Sequence, residues 1–184
     1  ETEVNTIANL FSEKNIASKV YLRTQANEAA IKSNSLKDYS LIHFATHGIV
    51  DEDSPELSRI YLQSDSKTAE DGNLFAGEIY NLEFNASLVS LSACQTGLGK
   101  ISKGEGVIGL SRALVYAGAK NILVSFWSVA DESTAQLMTD FYRKMLDNPT
   151  ESYSQSLRKA KLNLLTMEKY KSPFYWAPFV LIGF

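Results

Sequence analysis

The chain predicts an α/β fold built on a largely parallel sheet with helices covering both faces. Three observations carry that reading. Short apolar runs alternate with segments of helical periodicity, some of those runs are apolar throughout, and each run ends in a turn before the next helix. With 184 residues, 45% of them hydrophobic and 21% charged, the composition suits one globular domain, residues 1–184. One cysteine excludes a disulfide scaffold.

Each element follows in order. Val4, Ile7, Ala8 and Phe11 recur at helical spacing, so the first dozen residues predict an amphipathic helix. Residues 19–22 predict a short strand, and a helix over about 26–36 follows Thr24. The run S-L-I-H-F-A (40–45) is a strand entering the turn Thr46-His47-Gly48. Residues 59–63 read as a strand, 64–73 as a polar loop, 75–82 as a short helix and 87–92 as a second buried strand. Val107, Leu110, Leu114 and Ala117 form one helical face, with Gly106 before it and Gly118 at its C-terminal end. Residues 121–129 predict a strand, and Asp131 stands at the N-cap of a helix that Asn148-Pro149 ends. Tyr153, Leu157, Ala160 and Leu164 mark a last helix, and 178–183 a final strand.

Charge and cysteine usage narrow the function. A net charge of −3 and a pI near 5.5 argue against direct nucleic-acid binding, which needs a clustered basic face. No apolar run approaches the ~18 residues of a membrane span. Glu1, Glu3 and Asn5 occupy the place of a basic signal-peptide segment. The lone thiol fits a reducing, cytoplasmic setting, a reactive nucleophile, or both.

In parallel sheets, ligands and catalytic groups gather at the carboxyl ends of strands. His47-Gly48, Cys94 and Asp131 hold such positions in the predicted order. Cys94 reads either as a small buried hydrophobe or as a nucleophile whose thiolate an adjacent base generates. His43 lies inside its strand and reads as a core histidine, whereas His47 lies beyond the strand and suits a base. Gly48 permits a sharp turn and leaves its N–H uncovered. That N–H and the Cys94 amide are candidate oxyanion donors, each worth roughly 3–4 kcal/mol in hydrolases. No metal or cofactor is implied, since two histidines and one cysteine lack zinc-ligand spacing.

Caspases place a histidine about 50 residues before a Q-A-C-[RQG]-G motif. Here 47 residues separate His47 from Cys94, in S-A-C-Q-T-G. The blocks F-A-T-H-G (44–48), L-S-A-C-Q-T-G-L-G (91–99), G-E-G-V-I-G-L-S-R-A-L-V-Y-A-G-A (104–119), S-F-W-S-V-A-D-E-S-T-A (125–135), L-M-T-D-F-Y (137–142) and Y-W-A-P-F-V-L-I-G (175–183) together resemble the CHAT-domain peptidases. These are caspase-like cysteine proteases related to separase and often fused to tetratricopeptide repeats. The resemblance implies a caspase-haemoglobinase three-layer sandwich, with His47 as base and Cys94 as nucleophile. It also implies a protein or peptide substrate, and a repeat-containing region or activating protein as regulator. Such members usually begin with a further strand, so the chain reads as cut from a longer one.

Substrate selection is the boldest expectation. Ser92 stands where caspases carry a glutamine, and S-F-W-S-V-A-D (125–131) replaces their S-W-R. Ser92, Ser128 and Asp131 are therefore the candidate substrate-binding residues. Separase resembles this stretch in its W-x-V-T-D segment and accepts arginine in an acidic pocket. Asp131 reads as such a carboxylate, as a helix N-cap, or as both. Glu132 belongs to the first helical turn, where it suits the dipole. Gly97, Gly99, Gly104 and Gly106 bracket Lys100-Ile101-Ser102-Lys103, either as a mobile gate after the nucleophile or as a packed connector. A silent scaffold and a non-peptidase amidohydrolase are the competing functions.

Overall fold

A computed structural model describes residues 1–51, 53–65, 70–92 and 105–183 of the chain. The helices are α1 (Thr2–Glu13), α2 (Glu28–Lys32), α3 (Ala76–Ile79), α4 (Glu105–Tyr116), α5 (Asp131–Asp147) and α6 (Tyr153–Leu165). The strands are β1 (Leu41–Phe44), β2 (Gly48–Ile49), β3 (Arg59–Tyr61), β4 (Asn73–Phe75), β5 (Leu88–Leu91), β6 (Asn121–Ser125) and β7 (Phe179–Gly183). They form two compact units, Glu1–Val20 with Val129–Leu181, and Tyr21–Ser128 with Ile182–Phe184.

The second unit is built around strands β1, β5 and β6, with β5 in the middle, in which β1 with β5 and β5 with β6 run parallel. Strand β5 has neighbours on both sides, and all four of its residues are buried. Burial on both faces, which covers even the polar Ser90, is the mark of a central parallel strand. A smaller antiparallel sheet runs β2-β3-β4. Ile42, Phe44, Ile60, Leu74, Leu110, Leu114 and Ile122 join in one core, which ties both sheets to α4. Helix α4 ends at Gly118, whose φ of 108° opens the left-handed conformation of a C-cap. Ala119 N–H then returns to Leu114 O at 3.0 Å. A Cβ at 118 would lie 2.0 Å from Phe84 O, so only glycine fits.

The first unit is helical. Ile7, Leu10 and Phe11 of α1, Leu137, Met138 and Phe141 of α5, and Leu157, Ala160 and Leu164 of α6 are buried. The Phe11 and Tyr142 rings meet edge to face at 5.9 Å. Buried Asp140 is met by Asn163 Nδ2 at 3.1 Å and by Lys144 at 3.8 Å, so its charge is not stranded.

Three expectations need correction. Residues 19–22 form no strand; a β-rich run becomes one only when a neighbour supplies ladder partners. The helix over 26–36 shrinks to α2 followed by a 3-10 turn at Asn34–Asp38. Its cap is Asn27, which accepts from Ala30 N–H at 2.9 Å, and Ser33 is extended. Asn27 and Ser33 bond the local backbone, the competition that shortens helices. Strand β6 stops at Ser125 instead of 129, where the Ser125 hydroxyl turns back to Trp127 O at 2.6 Å.

Lys32 organises the margin of this unit. Its ammonium contacts Glu70, Glu78 Oε1 at 2.8 Å and Glu28 Oε1 at 3.1 Å. Glu28 is 1% exposed, and its other oxygen accepts from Gly72 N–H at 2.6 Å. Burial pulls the Lys32 pKa down, but hydrogen bonds to Glu70, Glu78 and Glu28 outweigh it and hold it above the usual lysine range. A pKa raised by folding means that this stabilisation is complete below the unfolded value, about 10.4, and fades only at more alkaline pH. Replacing Lys32 by Gln leaves three carboxylates within 4.8 Å of one another. Chemical denaturation of Lys32→Gln will show a loss of about 3 kcal/mol at pH 7.

Candidate active site

Two neighbouring parallel strands end together. Phe44 is opposite Leu91, and the next residue, Ser92, donates its N–H to Phe44 O at 3.0 Å. The Ser92 hydroxyl reaches the same carbonyl at 3.4 Å, and the residue is 2% exposed. One chain leaves this end toward Thr46-His47-Gly48, and the other toward Cys94, which lies outside the described residues. The segment 97–104 of the expected gate also lies outside them, while Gly106 belongs to α4.

His47 is exposed, yet its backbone is fastened. Tyr61 N–H donates to His47 O at 2.8 Å, and the Thr46 hydroxyl donates to Tyr61 O at 2.6 Å. In an antiparallel ladder, hydrogen-bonded and non-bonded pairs alternate. With His47 bonded to Tyr61, the next pair, Gly48 opposite Ile60, is a non-bonded one. The Gly48 N–H therefore points away from β3, on the side where β2 has no ladder partner among the described residues, and the residue is buried. Glycine suits this position for a reason other than a sharp turn. Gly48 lies outside the left-handed region, which Gly72, Gly118 and Gly183 adopt, but a Cβ would sit 3.1 Å from Arg59 O.

The pleat sorts the small sheet into two faces. Ile60 and Leu74 point into the core. His47, Tyr61, Arg59 and Phe75 belong to the opposite face by register. Arg59 Nη2 donates to the Tyr61 hydroxyl at 3.2 Å. The guanidinium carbon lies 5.3 Å from the Tyr61 ring centre and 5.4 Å from that of Phe75. Thr46, Tyr61 and Arg59 were not nominated from the sequence; the alternation R-I-Y against N-L-F was the signal available for the last two. His43 stays within β1, opposite Ser90, half-buried and engaged in an interaction of its own.

The remaining candidates are spread along the chain. Ser128 is exposed, three residues beyond the end of β6. Asp131 is exposed on the helical unit, where it is the first residue of α5. The N-cap is Ala130 rather than Asp131, and no side chain caps the backbone there. The first-turn carboxylates still suit the helix dipole. Glu132 is engaged by Lys169 at 2.5 Å, and that hydrogen bond holds its carboxyl below the usual range.

All 184 residues match the family model of the CHAT domain. The chain belongs to the CHAT domain family. This is a caspase-like protease family, and the mixed α/β fold with its mostly parallel main sheet agrees with it. The chain is 28% identical over 160 residues to tetratricopeptide repeat protein 28 of Mus musculus, covering 87% of this chain and 6% of that protein. It is 32% identical over 110 residues to tetratricopeptide repeat protein 28 of Homo sapiens, covering 60% of this chain and 4% of that protein. The CHAT domain thus spans a small fraction of the curated relatives it matches.

No helix among the described residues of this CHAT domain is long and apolar enough to cross a membrane. Glu28, Glu70 and Glu78 have the spacing of a metal-ligand group, which the sequence reading did not anticipate. The Lys32 ammonium contacts all three carboxylates. The Thr46 bond has a direct test in the folded protein. Thr46→Val will cost about 1 kcal/mol and speed amide hydrogen exchange at Tyr61, and Thr46→Ser will restore both.

Proposed function

We propose that the chain is the peptidase domain of a longer protein, a cysteine endopeptidase using Cys94 and His47. The observation that carries the reading is the shared end of β1 and β5. His47 follows one strand by three residues, and Cys94 follows Ser92, which is bonded to the other. The chemistry needs a base beside a thiol at a strand end, and a donor left unused by the sheet. The outward Gly48 N–H supplies that donor.

In this mechanism His47 takes the Cys94 proton, and the thiolate attacks the peptide carbonyl carbon. The oxyanion is held by the N–H groups of Gly48 and Cys94. The imidazolium then protonates the leaving amine as the C–N bond breaks. Water, deprotonated by His47, hydrolyses the thioester and restores the thiol. Ser92 supports this geometry by joining the two strand ends, in addition to its proposed place beside the substrate.

Two tests follow. Cys94→Ala and His47→Ala will each abolish peptide cleavage, while His43→Ala will at most lower stability. A peptidyl electrophile will label the unaltered protein and not Cys94→Ala. An unlabelled native protein points instead to a silent scaffold.

We assign Asp131, with Ser128 at its side in the sequence, to recognition of a basic residue before the cleaved bond. Exposure of Asp131, and the engagement of Glu132 by Lys169, leave Asp131 the carboxylate suited to this task. On a peptide panel, Arg or Lys will be favoured by about 10-fold, equal to about 1.4 kcal/mol. Asp131→Asn will erase that preference but not alkylation of Cys94. A preference for Asp refutes the assignment. The relatives' names support a repeat-containing region as regulator, and the single thiol a cytoplasmic setting.

A further inference from the structure

The face of the small sheet that carries His47 also carries a cation with no acid beside it among the described residues. Arg59 precedes Tyr61 by two residues on that face, one pleat period from the residue bonded to His47. Its guanidinium lies near two aromatic rings, Tyr61 at 5.3 Å and Phe75 at 5.4 Å. Aromatic faces attract and orient such a plane. Among the described residues no carboxylate comes within 4.0 Å of it. Asp51 turns its Oδ1 to the N–H groups of Asp53 and Ser54, at 3.1 and 2.8 Å.

A guanidinium has five N–H donors in a planar fork. The hydroxyl of Tyr61 takes one of them at 3.2 Å, and Leu57 O approaches another at 3.5 Å. Nε is buried without a partner, while the side chain as a whole is half-exposed. The remaining Nη hydrogens belong to a charge held in place by its rings. A fork fixed in this way loses little entropy on binding, and a carboxylate matches it in two parallel hydrogen bonds. An ammonium or a neutral amide matches it poorly.

We propose that Arg59 is an anion-binding subsite that takes an acidic side chain of the peptide substrate, at one position other than that before the cleaved bond. The proposal rests on the reading of His47 as the catalytic base, because that places substrate along this face. It adds a second charge requirement: a basic residue at the cleaved bond and an acidic residue at a fixed distance from it.

The test uses the full-length protein and a peptide library in which Asp, Asn and Lys are exchanged at each position from four before to four after the cleaved bond. At one position Asp will be preferred over Asn by about 10-fold in kcat/KM, and the effect will lie in KM rather than kcat. Arg59→Gln will remove this preference, Arg59→Glu will turn it toward Lys, and Arg59→Lys will retain only part of it because the fork is lost. A flat profile, or a preference that survives in Arg59→Gln, overturns the subsite. Thermal melting of each variant separates loss of fold from loss of recognition.

A binding measurement separates failure of this proposal from failure of the catalytic reading. Fluorescence anisotropy of Asp-containing and Asn-containing peptides on Cys94→Ala needs no turnover. An Arg59-dependent difference of about 10-fold in Kd supports the subsite even if native Cys94 proves unreactive. Equal affinities refute it even if the peptidase is active.

Discussion

Strand β5 is buried along its whole length, and the candidate site follows from how that burial is satisfied. A strand with both faces covered has no water for its N–H and C=O groups, so each must find a partner in a neighbouring strand. Strands β1 and β6 supply those partners in parallel register. Parallel pairing puts carboxyl ends on the same side, and the ladder runs one residue beyond β5 through Ser92 and Phe44. The loops that carry His47 and Cys94 thus begin from one fixed end of a sheet.

The second constraint acts on backbone rather than side chains. His47 is exposed, so packing does little to position it. Its carbonyl is instead held by Tyr61 N–H, and the carbonyl of Tyr61 by the Thr46 hydroxyl. The same register turns the Gly48 N–H away from β3, and a side chain at 48 would crowd Arg59 O. An exposed imidazole and an amide that the β2–β3 ladder leaves unused are therefore set by two hydrogen bonds and the pairing register. The pleat that turns Ile60 and Leu74 inward turns Tyr61 and Arg59 outward, so core packing also decides which groups share a face with His47.

Much was legible in the residues themselves. Short runs dominated by apolar residues identified β1 and β5, because strands of a covered sheet bury most of their side chains. Helical periodicity identified α1, α5 and α6, whose inner stripes pack on one another. Pro149 and Gly118 marked where helices stop. The positions of His47 and Gly48 beyond β1 were legible for the same reason, and the block order pointed to the CHAT domain family.

The tertiary structure decided what depends on partners far along the chain. Whether residues 19–22 pair, and whether β6 extends past Ser125, turns on which ladder groups and hydroxyls lie alongside. The capping position moved from Asp131 to Ala130 because a cap is set by backbone dihedrals, not by the nearest acidic residue. The three carboxylates around Lys32 come from residues 28, 70 and 78, and nothing local in the sequence announces their meeting. Arg59 likewise reads as an ordinary strand residue until register sets it on the face of His47. The sequence alone determined the long helices and the main strands, through periodicity and backbone sterics. Only the folded chain decided the juxtapositions, because hydrogen bonds and charges act over a few ångströms between residues tens of positions apart.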